Sequence, residues 1–298
     1  MKRLLKILYH YLNSTRKHQQ TDLLLLGTLL SRQNKQLPVL DSLGPAEFKV
    51  FSQAGDDGII QYLINKIDIR TKTFIEFGVE DYVESNTRFL LRNDNWSGLV
   101  IDGSSRAIDY IRADDIFYRY DLKTLQAFIT AENINELIAS QGMRGETGLL
   151  SIDIDGNDYW VWKALDVVQP VIVIVEYNSV FGPERPVTVP YQPGFTRSAA
   201  HYSHLYFGAS LAALCQLAEE KGYAFVGSNT YGNNAYFVRK ERVGPLKIFS
   251  VAEGYVESRF RESRDRKGRL NFLSGAGRLA SLRGLPVFNT STGQTEAL

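Results

Sequence analysis

Residues 149–178, LLSIDIDGNDYWVWKALDVVQPVIVIVEYN, contain two apolar runs separated by a helical stretch. The runs Leu149–Ile154 and Val171–Val175 have the length and the β-branched content of buried strands, and Asp158–Leu165 has the spacing of a helix. A strand that is apolar throughout is covered on both faces, as in the centre of a parallel sheet. This stretch therefore predicts a βαβ unit, the building block of an α/β fold.

The same alternation extends on both sides of this unit. The other predicted strands are Thr73–Phe77, Gly98–Ile101, Phe117–Tyr120, Ala224–Val226 and Ala235–Val238. The other predicted helices are Gly58–Ile67, Ser85–Arg92, Leu122–Ala131, Ile134–Gln141 and Ser210–Lys221. A Gly- and Asn-rich connection joins the last two strands and predicts an antiparallel pair at the sheet edge. We therefore expect an α/β fold with a doubly wound, mainly parallel, seven-stranded Rossmann-like sheet that has an antiparallel edge strand.

The two ends of the chain differ from this central region. We expect residues 1–45 to form an N-terminal helical extension and linker, 46–245 the α/β domain, and 246–298 a polar C-terminal extension. The first twenty residues carry leucines at helical spacing, no acidic residue, and the basic residues Lys2, Arg3, Lys6, Arg16 and Lys17. Three interpretations remain open: a helix that packs on its own domain or on a second copy, a helix on a membrane surface, and a disordered leader.

The composition is that of an ordinary globular protein. Of the 298 residues, 44% are hydrophobic and 22% are charged, and the formal net charge is +1. A net charge this small gives no general attraction to nucleic acid, so we expect no nucleic-acid partner. The single cysteine, Cys215, forms no intramolecular disulfide and fits a reducing compartment. We expect a cytoplasmic protein, either free or at the inner face of the membrane.

Acidic residues follow the predicted strands at their carboxyl ends. They are Glu76, Asp102, Asp121, Asp155 and Glu176. Ligands of open parallel sheets bind at this edge, so we expect the five side chains to line one site. The Asp102 carboxylate suits the two hydroxyls of a ribose, and Asp121 suits an exocyclic amine such as that of adenine. Gly78, after the first strand, would let the backbone approach a ligand closely.

This order of residues resembles that of class I S-adenosylmethionine (SAM)-dependent methyltransferases, with Glu-x-Gly after strand one and acids after the next three strands. Residues 51–59, FSQAGDDGI, are similar to the segment before the first strand in the FkbM-like branch, whose members mostly methylate oxygens of sugars and other natural products. The resemblance covers about residues 50–240. It implies that Glu76 and Gly78 line the methionine moiety, that Asp102 holds the ribose and that Asp121 contacts the adenine. The SAM-binding residues that it implies are Ser52, Gln53, Glu76, Gly78, Asp102, Asp121 and Asp153.

The loop after the first strand departs from the family pattern. The family often has two or three glycines there, whereas Val79, Glu80 and Asp81 follow Gly78. The resemblance therefore rests on the set of strand-end residues and not on the loop. A non-catalytic binding or scaffold module in a glycan-synthesis assembly remains an alternative, and so does a nucleotide-sugar-processing enzyme. A dehydrogenase fits less well because no Gly-x-Gly-x-x-Gly follows the first strand.

The acids after strands four and five suggest a metal ion. Some oxygen methyltransferases of this superfamily hold a divalent cation there, and the resemblance assigns Asp155, Glu176 and Asn178 as its ligands. Oxygen ligands of this kind suit Mg²⁺ or Mn²⁺. The alternative is that Asp153 and Asp155 orient the cofactor or cap the helix that begins at Asp158.

Residues 181–207 follow the fifth strand and are rich in Pro, Tyr and His, as expected of a segment that builds a substrate pocket. His201 and His204 would share one face of a helix, so each imidazole is a candidate general base for a sugar hydroxyl. Asp155 is the third catalytic candidate, and Tyr191, Arg197 and His204 are the candidate substrate contacts. The alternative for the two histidines is a structural or surface pair.

Together these features predict a SAM-dependent O-methyltransferase that acts on a sugar hydroxyl in cell-surface polysaccharide or glycosylated natural-product biosynthesis. The expected cofactors are SAM and a divalent metal, Mg²⁺ or Mn²⁺. The expected partners are a small-molecule or glycan acceptor, a membrane surface at the basic N-terminal helix, and a second copy of the chain.

Overall fold

The computed structural model describes residues 19–298. Most of the predicted basic helix, residues 1–18, lies outside the described residues. Residues 19–34 form helix α1, in which Gly27, Ser31 and Asn34 are buried and Asn34 Nδ2 donates to the carbonyl oxygens of Ala46 and Gly58. The remaining surface of α1 exposes Leu23, Leu25, Leu26, Leu29 and Leu30. Within residues 19–298, no helix is long and apolar enough to cross a membrane.

A seven-stranded sheet forms the centre of the fold. Its strands are β1 (Thr73–Phe77), β2 (Ser97–Asp102), β3 (Leu122–Gln126), β4 (Gly145–Ile152), β5 (Val168–Glu176), β7 (Tyr223–Ser228) and β8 (Asn234–Arg239). They lie in the order β3-β2-β1-β4-β5-β8-β7. Strands β1 to β5 run parallel, and β8 runs antiparallel to its neighbours β5 and β7. The predicted Rossmann-like fold and the antiparallel pair at its edge are confirmed; β8 is the reversed strand and β7 lies outside it.

Helices cover both faces of this sheet. After α1 they are α2 (Asp56–Lys66), α3 (Arg88–Asn93), α4 (Ser105–Ala113), α5 (Ile116–Arg119), α6 (Ile134–Ser140), α7 (Asp158–Ala164), α8 (Arg197–Ala200), α9 (Leu211–Glu220), α10 (Val251–Gly254) and α11 (Ala276–Ala280). Neighbouring residues of a strand point to opposite faces, so Phe74 packs in a core with Tyr62 of α2, and Phe77 in a second core with Trp162 of α7. The central strands are apolar on both sides because both faces are covered.

The third strand differs from the prediction. Residues 117–120, predicted as a strand, lie mostly in α5, and the predicted helix Leu122–Ala131 contains β3 instead. Asp114 Oδ1 accepts a hydrogen bond from the Ile116 amide where α5 begins, and Tyr118 is 75% exposed, so this run buries little apolar surface. Strand β3 lies at the edge of the sheet, where its polar side chains reach solvent. Its sequence therefore lacks the apolar pattern of a buried strand.

Asp121 is therefore misplaced in the sequence prediction. It precedes β3, and its carbonyl oxygen accepts a hydrogen bond from the amide of Gly98 near the start of β2. The amino ends and the carboxyl ends of parallel strands lie at opposite edges of a sheet. Asp121 thus lies at the edge away from the other four strand-end acids, and its assignment to the adenine is wrong.

A second, smaller sheet brings the C-terminal residues to the main sheet. Its strands are β6 (Val187–Thr188), β9 (Pro286–Asn289) and β10 (Gln294–Ala297), in the antiparallel order β10-β9-β6. Val187, Leu205 and Val287 pack in a buried apolar group around it. Because β6 follows β5 closely in the chain, the C-terminal residues reach the carboxyl end of β5.

Candidate functional site

A cavity of about 420 Å³ lies where the parallel strands end. The predicted site residues that line it are Gln53, Glu76, Gly78, Asp102, Asp153, Asp155, Glu176, Asn178 and Arg197. The predicted site residues that do not line it are Ser52, Asp121, Tyr191, His201 and His204. The carboxyl edge of the sheet thus gathers most of the strand-end acids in one place, as parallel topology requires.

Glu76, at the end of β1, is engaged in local hydrogen bonds. Its Oε1 accepts from the Asn86 amide at 2.8 Å, and its Oε2 accepts from the amide of Thr87 at 3.1 Å and from the hydroxyl of that residue. Burial raises the pKa of the Glu76 carboxyl to about 7, although these hydrogen bonds favour the charged form. The main effect of Glu76 is to hold the segment that leads into α3 against the cavity wall.

Gly78 marks a close approach of two loops. Its φ is +70°, and a side chain there would place its Cβ 1.7 Å from the carbonyl oxygen of Asp153. Only glycine adopts this conformation without strain and leaves room for that oxygen. The loops after β1 and β4 therefore form one continuous wall of the cavity.

Asp102 ends β2 with a carboxylate in a defined orientation. Its Oδ2 accepts from the Glu80 amide at 2.8 Å, and its Oδ1 accepts from the Ser104 amide at 2.7 Å. A carboxylate oxygen has more than one acceptor site, so both oxygens keep capacity for further hydrogen bonds. The arrangement suits a pair of hydroxyl donors, as on a ribose.

An apolar surface lies beside Asp102. The residues after β3 that line the cavity are Ala127, Phe128 and Ile129, and the Ala127 amide donates to the Asp102 carbonyl oxygen at 3.0 Å. This surface suits the flat face of an aromatic base. The sequence does not predict this surface, because the pattern of residues 122–131 indicates a helix and not the strand β3.

Three carboxylates form the most acidic part of the cavity. Oxygens of Asp153, Asp155 and Glu176 lie within 4.8 Å of one another, and we call these residues the carboxylate triad. Removal from water and the charges of neighbouring carboxylates raise the pKa values of Asp153 and Glu176 well above their usual range. Glu176 Oε2 is buried and has no hydrogen-bond partner among the described residues. Such a group binds either a cation or a proton.

Asp158 shapes the loop that carries two members of the triad. Its Oδ1 accepts from the Ile154 amide and its Oδ2 from the Gly156 amide, each at 2.9 Å. Burial raises the pKa of Asp158 to about 6. Asp155, between the two bonded amides, has φ +54°, a left-handed conformation that the two hydrogen bonds help to stabilise.

Asn178 lines the cavity, and its role as a metal ligand stays a prediction. Its Nδ2 donates to the carbonyl oxygens of Leu205 and Phe207, and its Oδ1 accepts from the Val180 amide at 3.0 Å. These bonds tie the segment of residues 205–207 to the end of β5. Asp153 supplies a further carboxylate beside Asp155 and Glu176.

The two histidines do not lie on a helix. Helix α8 ends at Ala200; His201 Nδ1 is 2.7 Å from Ser203 Oγ, and His204 has φ +59° with its Nδ1 3.7 Å from Glu262. Burial lowers the pKa of His201. Since neither imidazole lines the cavity, their assignment as bases is not supported, and the structural alternative describes them.

Of the predicted substrate contacts, Arg197 lines the cavity and Tyr191 does not. The Tyr191 hydroxyl donates to Glu132 and accepts from the Ala131 amide at 3.0 Å. Tyr191 therefore joins two surface segments away from the triad.

Ser52 and Gln53 have different roles. Ser52 is fully buried, and both its amide and its hydroxyl donate to Asp57 Oδ2, at 2.8 and 2.9 Å. Asp57 also accepts from the amides of residues 50 and 51, and burial raises its pKa to about 6. Gln53 lines the cavity, and its Oε1 accepts from Asn233 Nδ2 at 3.0 Å. Ser52 thus acts structurally, whereas Gln53 reaches the site.

The C-terminal residues close one side of the cavity, which the sequence did not reveal. Ser258, Phe260 and Arg278 line it, although they follow the resembling region of the chain. Their positions depend on contacts with the loop after β5, and local sequence carries no signal of such distant pairings.

No family model matches this chain, and no curated protein sequence matches it. Its structure is similar to the N-terminal domain of EvdMO1 with S-adenosylhomocysteine (SAH) bound, at 13% identity over 70% of this chain and 93% of that chain, with a TM-score of 0.40. An O-methyltransferase family protein from Burkholderia thailandensis is 10% identical over 64% of this chain and 52% of that chain, with a TM-score of 0.37. A SAM-dependent methyltransferase from Clostridium acetobutylicum is 7% identical over 61% of this chain and 89% of that chain, with a TM-score of 0.39. Of these three proteins, two are methyltransferases by name and the third is a structure with SAH bound.

Proposed function

We propose that this protein is a SAM-dependent O-methyltransferase that acts on a sugar hydroxyl. The observation that carries the proposal is one cavity in which Asp102, an apolar surface and the carboxylate triad lie together at the ends of parallel strands. These three features correspond to a ribose, an aromatic base and an ionised or metal-bound reaction centre. The FkbM-like branch is proposed on the residues 51–59 alone.

The described residues fit SAM as a cofactor. Asp102 would accept hydrogen bonds from the ribose hydroxyls with its remaining lone pairs, and residues 127–129 would cover the adenine face. Bound SAM supplies a methyl group on a positively charged sulfur. The chain itself orients the acceptor hydroxyl and excludes water, which are the main contributions of a protein to such a transfer.

The carboxylate triad fits a divalent cation such as Mg²⁺ or Mn²⁺. Asp153, Asp155 and Glu176 would hold it, because their oxygens converge and the buried Glu176 Oε2 has no hydrogen-bond partner within residues 19–298. A bound divalent ion lowers the pKa of a hydroxyl that it contacts. Arg197 Nη1, 3.0 Å from Asp155 Oδ1, restrains the exposed member of the triad.

The same geometry favours a second candidate role for the triad, that of a proton acceptor. Without a cation, burial and the neighbouring carboxylates raise the pKa values of Asp153 and Glu176 well above those of ordinary carboxyls, so each carboxylate takes up a proton more readily. A carboxylate of raised pKa is a suitable general base for a hydroxyl. Full methyl transfer in the presence of a chelator would favour the base over the metal.

The decisive experiment for the cofactor is calorimetric titration with SAH. We expect wild type to bind it and Asp102→Ala to lose about 1.5–3 kcal/mol of binding free energy, roughly 10- to 100-fold in affinity, because hydrogen bonds to a charged acceptor are lost. Asp109→Ala, an exposed aspartate in α4, serves as the control. Absence of SAH binding by wild type would reject the enzyme and favour the scaffold module.

We also propose that α1 contacts a membrane surface and so places the protein at the cytoplasmic face. Five exposed leucines on one short helix form an apolar surface, and the basic residues of the preceding sequence suit anionic lipids. Polysaccharide assembly at that surface would bring a glycan acceptor to the cavity.

A further inference from the structure

Arg278 of α11 places a guanidinium group in the wall of the cavity. Its residue surface is only 7% exposed, and its Nη1 makes one long hydrogen bond, 3.4 Å, to the Ser258 carbonyl oxygen. Its Nε has no hydrogen-bond partner among the described residues. An arginine has five N–H donors, so most of the hydrogen-bonding capacity of Arg278 is unused within residues 19–298.

No acidic side chain of the described residues forms a salt bridge with Arg278 within 4.0 Å. The exposed Glu257 is the acid whose charge acts on it most strongly. Burial lowers the pKa of the Arg278 guanidinium, and the positive charge of Arg197 acts in the same direction. A buried, unpaired positive charge is unfavourable, and a bound anion would remove that penalty.

The position of Arg278 follows from contacts that build this wall. The Tyr177 hydroxyl donates to the Val256 carbonyl oxygen at 2.6 Å, and the Tyr255 hydroxyl donates to the Ser179 carbonyl oxygen at 2.8 Å. Helix α11 packs against the turn that follows β5. These contacts attach the C-terminal segment to the same strand that ends with Glu176, so Arg278 faces the cavity that holds the triad.

Arg197 supplies a second guanidinium to this cavity, and it is held rigidly. Its Nη1 pairs with Asp155 Oδ1 at 3.0 Å, its Nε donates to the His204 carbonyl oxygen at 2.6 Å, and its guanidinium carbon lies 4.3 Å from the centre of the Phe207 ring. Arg197 therefore forms an ion pair, whereas Arg278 forms none with any of the described residues. Arg278 thus keeps more unused hydrogen-bond donors than Arg197.

We propose that the acceptor is an anionic sugar, whose carboxylate or phosphate group is bound by Arg278 with support from Arg197. The inference rests on the proposed function and specifies the substrate class of the same cavity. Guanidinium groups bind carboxylate and phosphate through paired hydrogen bonds, and binding one end of a sugar in this way would direct a hydroxyl towards the triad.

The test is calorimetric titration of the SAH-saturated full chain with D-glucuronate, D-glucose 6-phosphate and D-glucose. We expect at least one anionic sugar to bind tenfold more tightly than D-glucose, and the better of the two identifies the group as carboxylate or phosphate. Arg278→Gln should reduce this preference to less than threefold. Arg283→Gln, which changes an exposed arginine of the same segment, should leave it unchanged.

Equal affinity of wild type for all three sugars would overturn the proposal, and so would an unchanged anion preference in Arg278→Gln. If Arg278→Gln does not fold, Arg278→Lys takes its place; it should lose at least threefold in affinity for the anionic sugar, and an unchanged affinity contradicts the proposal. SAH binding, measured separately for each variant, distinguishes this failure from failure of the methyltransferase function. If Arg278→Gln loses the anion preference but still binds SAH, Arg278 contributes to binding of the acceptor and not of the cofactor.

Discussion

Glu176→Gln is expected to stabilise the metal-free protein at alkaline pH and to have little effect at acidic pH. The pKa values of Glu176 and Asp153 are raised above their usual values of 4.5 and 3.8, mainly by burial, so the folded chain binds protons more tightly there than the unfolded chain. The free energy of unfolding that this tighter proton binding contributes is fully present below the pKa values of the unfolded chain. It is lost as pH rises through the pKa values of the folded chain. Glutamine carries no charge, so Glu176→Gln does not lose the stability that wild type loses when the Glu176 carboxyl ionises.

The magnitude follows from the separation of the carboxylates. Two full charges 4.8 Å apart, the limit for oxygens of the triad, repel by about 3.5 kcal/mol at an effective dielectric constant of 20. Proton uptake relieves part of this repulsion, with a limit of about 1.4 kcal/mol per pH unit for each proton. Asp155 is exposed, so solvent screens its charge. We therefore expect Glu176→Gln to raise the free energy of unfolding by roughly 1–3 kcal/mol at pH 8 and by almost nothing at pH 5.

The assay is urea unfolding from pH 5 to 8.5 in the presence of a chelator. Glu184→Gln, at an exposed glutamate, is the matched control and should follow the wild-type curve. Added Mn²⁺ should stabilise wild type more than Glu176→Gln, because the variant lacks one of the three ligands. If the stability of wild type and that of Glu176→Gln depend on pH in the same way, the triad carboxylates do not repel one another and this prediction is wrong.

Two further predictions concern the backbone and the surface. Gly78→Ala should lower the free energy of unfolding by roughly 2–4 kcal/mol, because the new Cβ would meet the Asp153 carbonyl oxygen. Gly142→Ala is the control: at φ +76° with open space around it, it should cost only about 1 kcal/mol of backbone strain. Equal losses of stability in urea unfolding would show that the close approach at Gly78 is unimportant. Replacing Leu25 and Leu29 together with Gln should reduce cosedimentation with phosphatidylserine vesicles at least threefold, and Leu270→Gln, at another exposed leucine, should not. Equal sedimentation of wild type and the double variant would contradict the membrane proposal.

The sequence predicted most strands correctly and failed at the sheet edge. Strands β1, β2, β4 and β5 carry near-continuous apolar runs because helices cover both of their faces. Strand β3 is half-exposed, so its residues do not form a continuous apolar run, and its sequence predicts a helix instead. As a result, the sequence prediction places Asp121 at the wrong edge of the sheet and assigns the apolar residues 127–129 to a helix.

The α/β fold class and the strand-end positions of Glu76, Asp102, Asp155 and Glu176 follow from the amino-acid sequence. The apolar pattern of a strand is a local property, and the carboxyl ends of parallel strands always share one edge of the sheet. Which polar atoms remain available at the site depends on the tertiary structure. Asn178 Nδ2 donates to the carbonyl oxygens of residues 205 and 207, and neither histidine lines the cavity. Arg278 enters it from a segment about 100 residues beyond β5, through contacts between side chains and main chain that leave no periodic signal in the sequence.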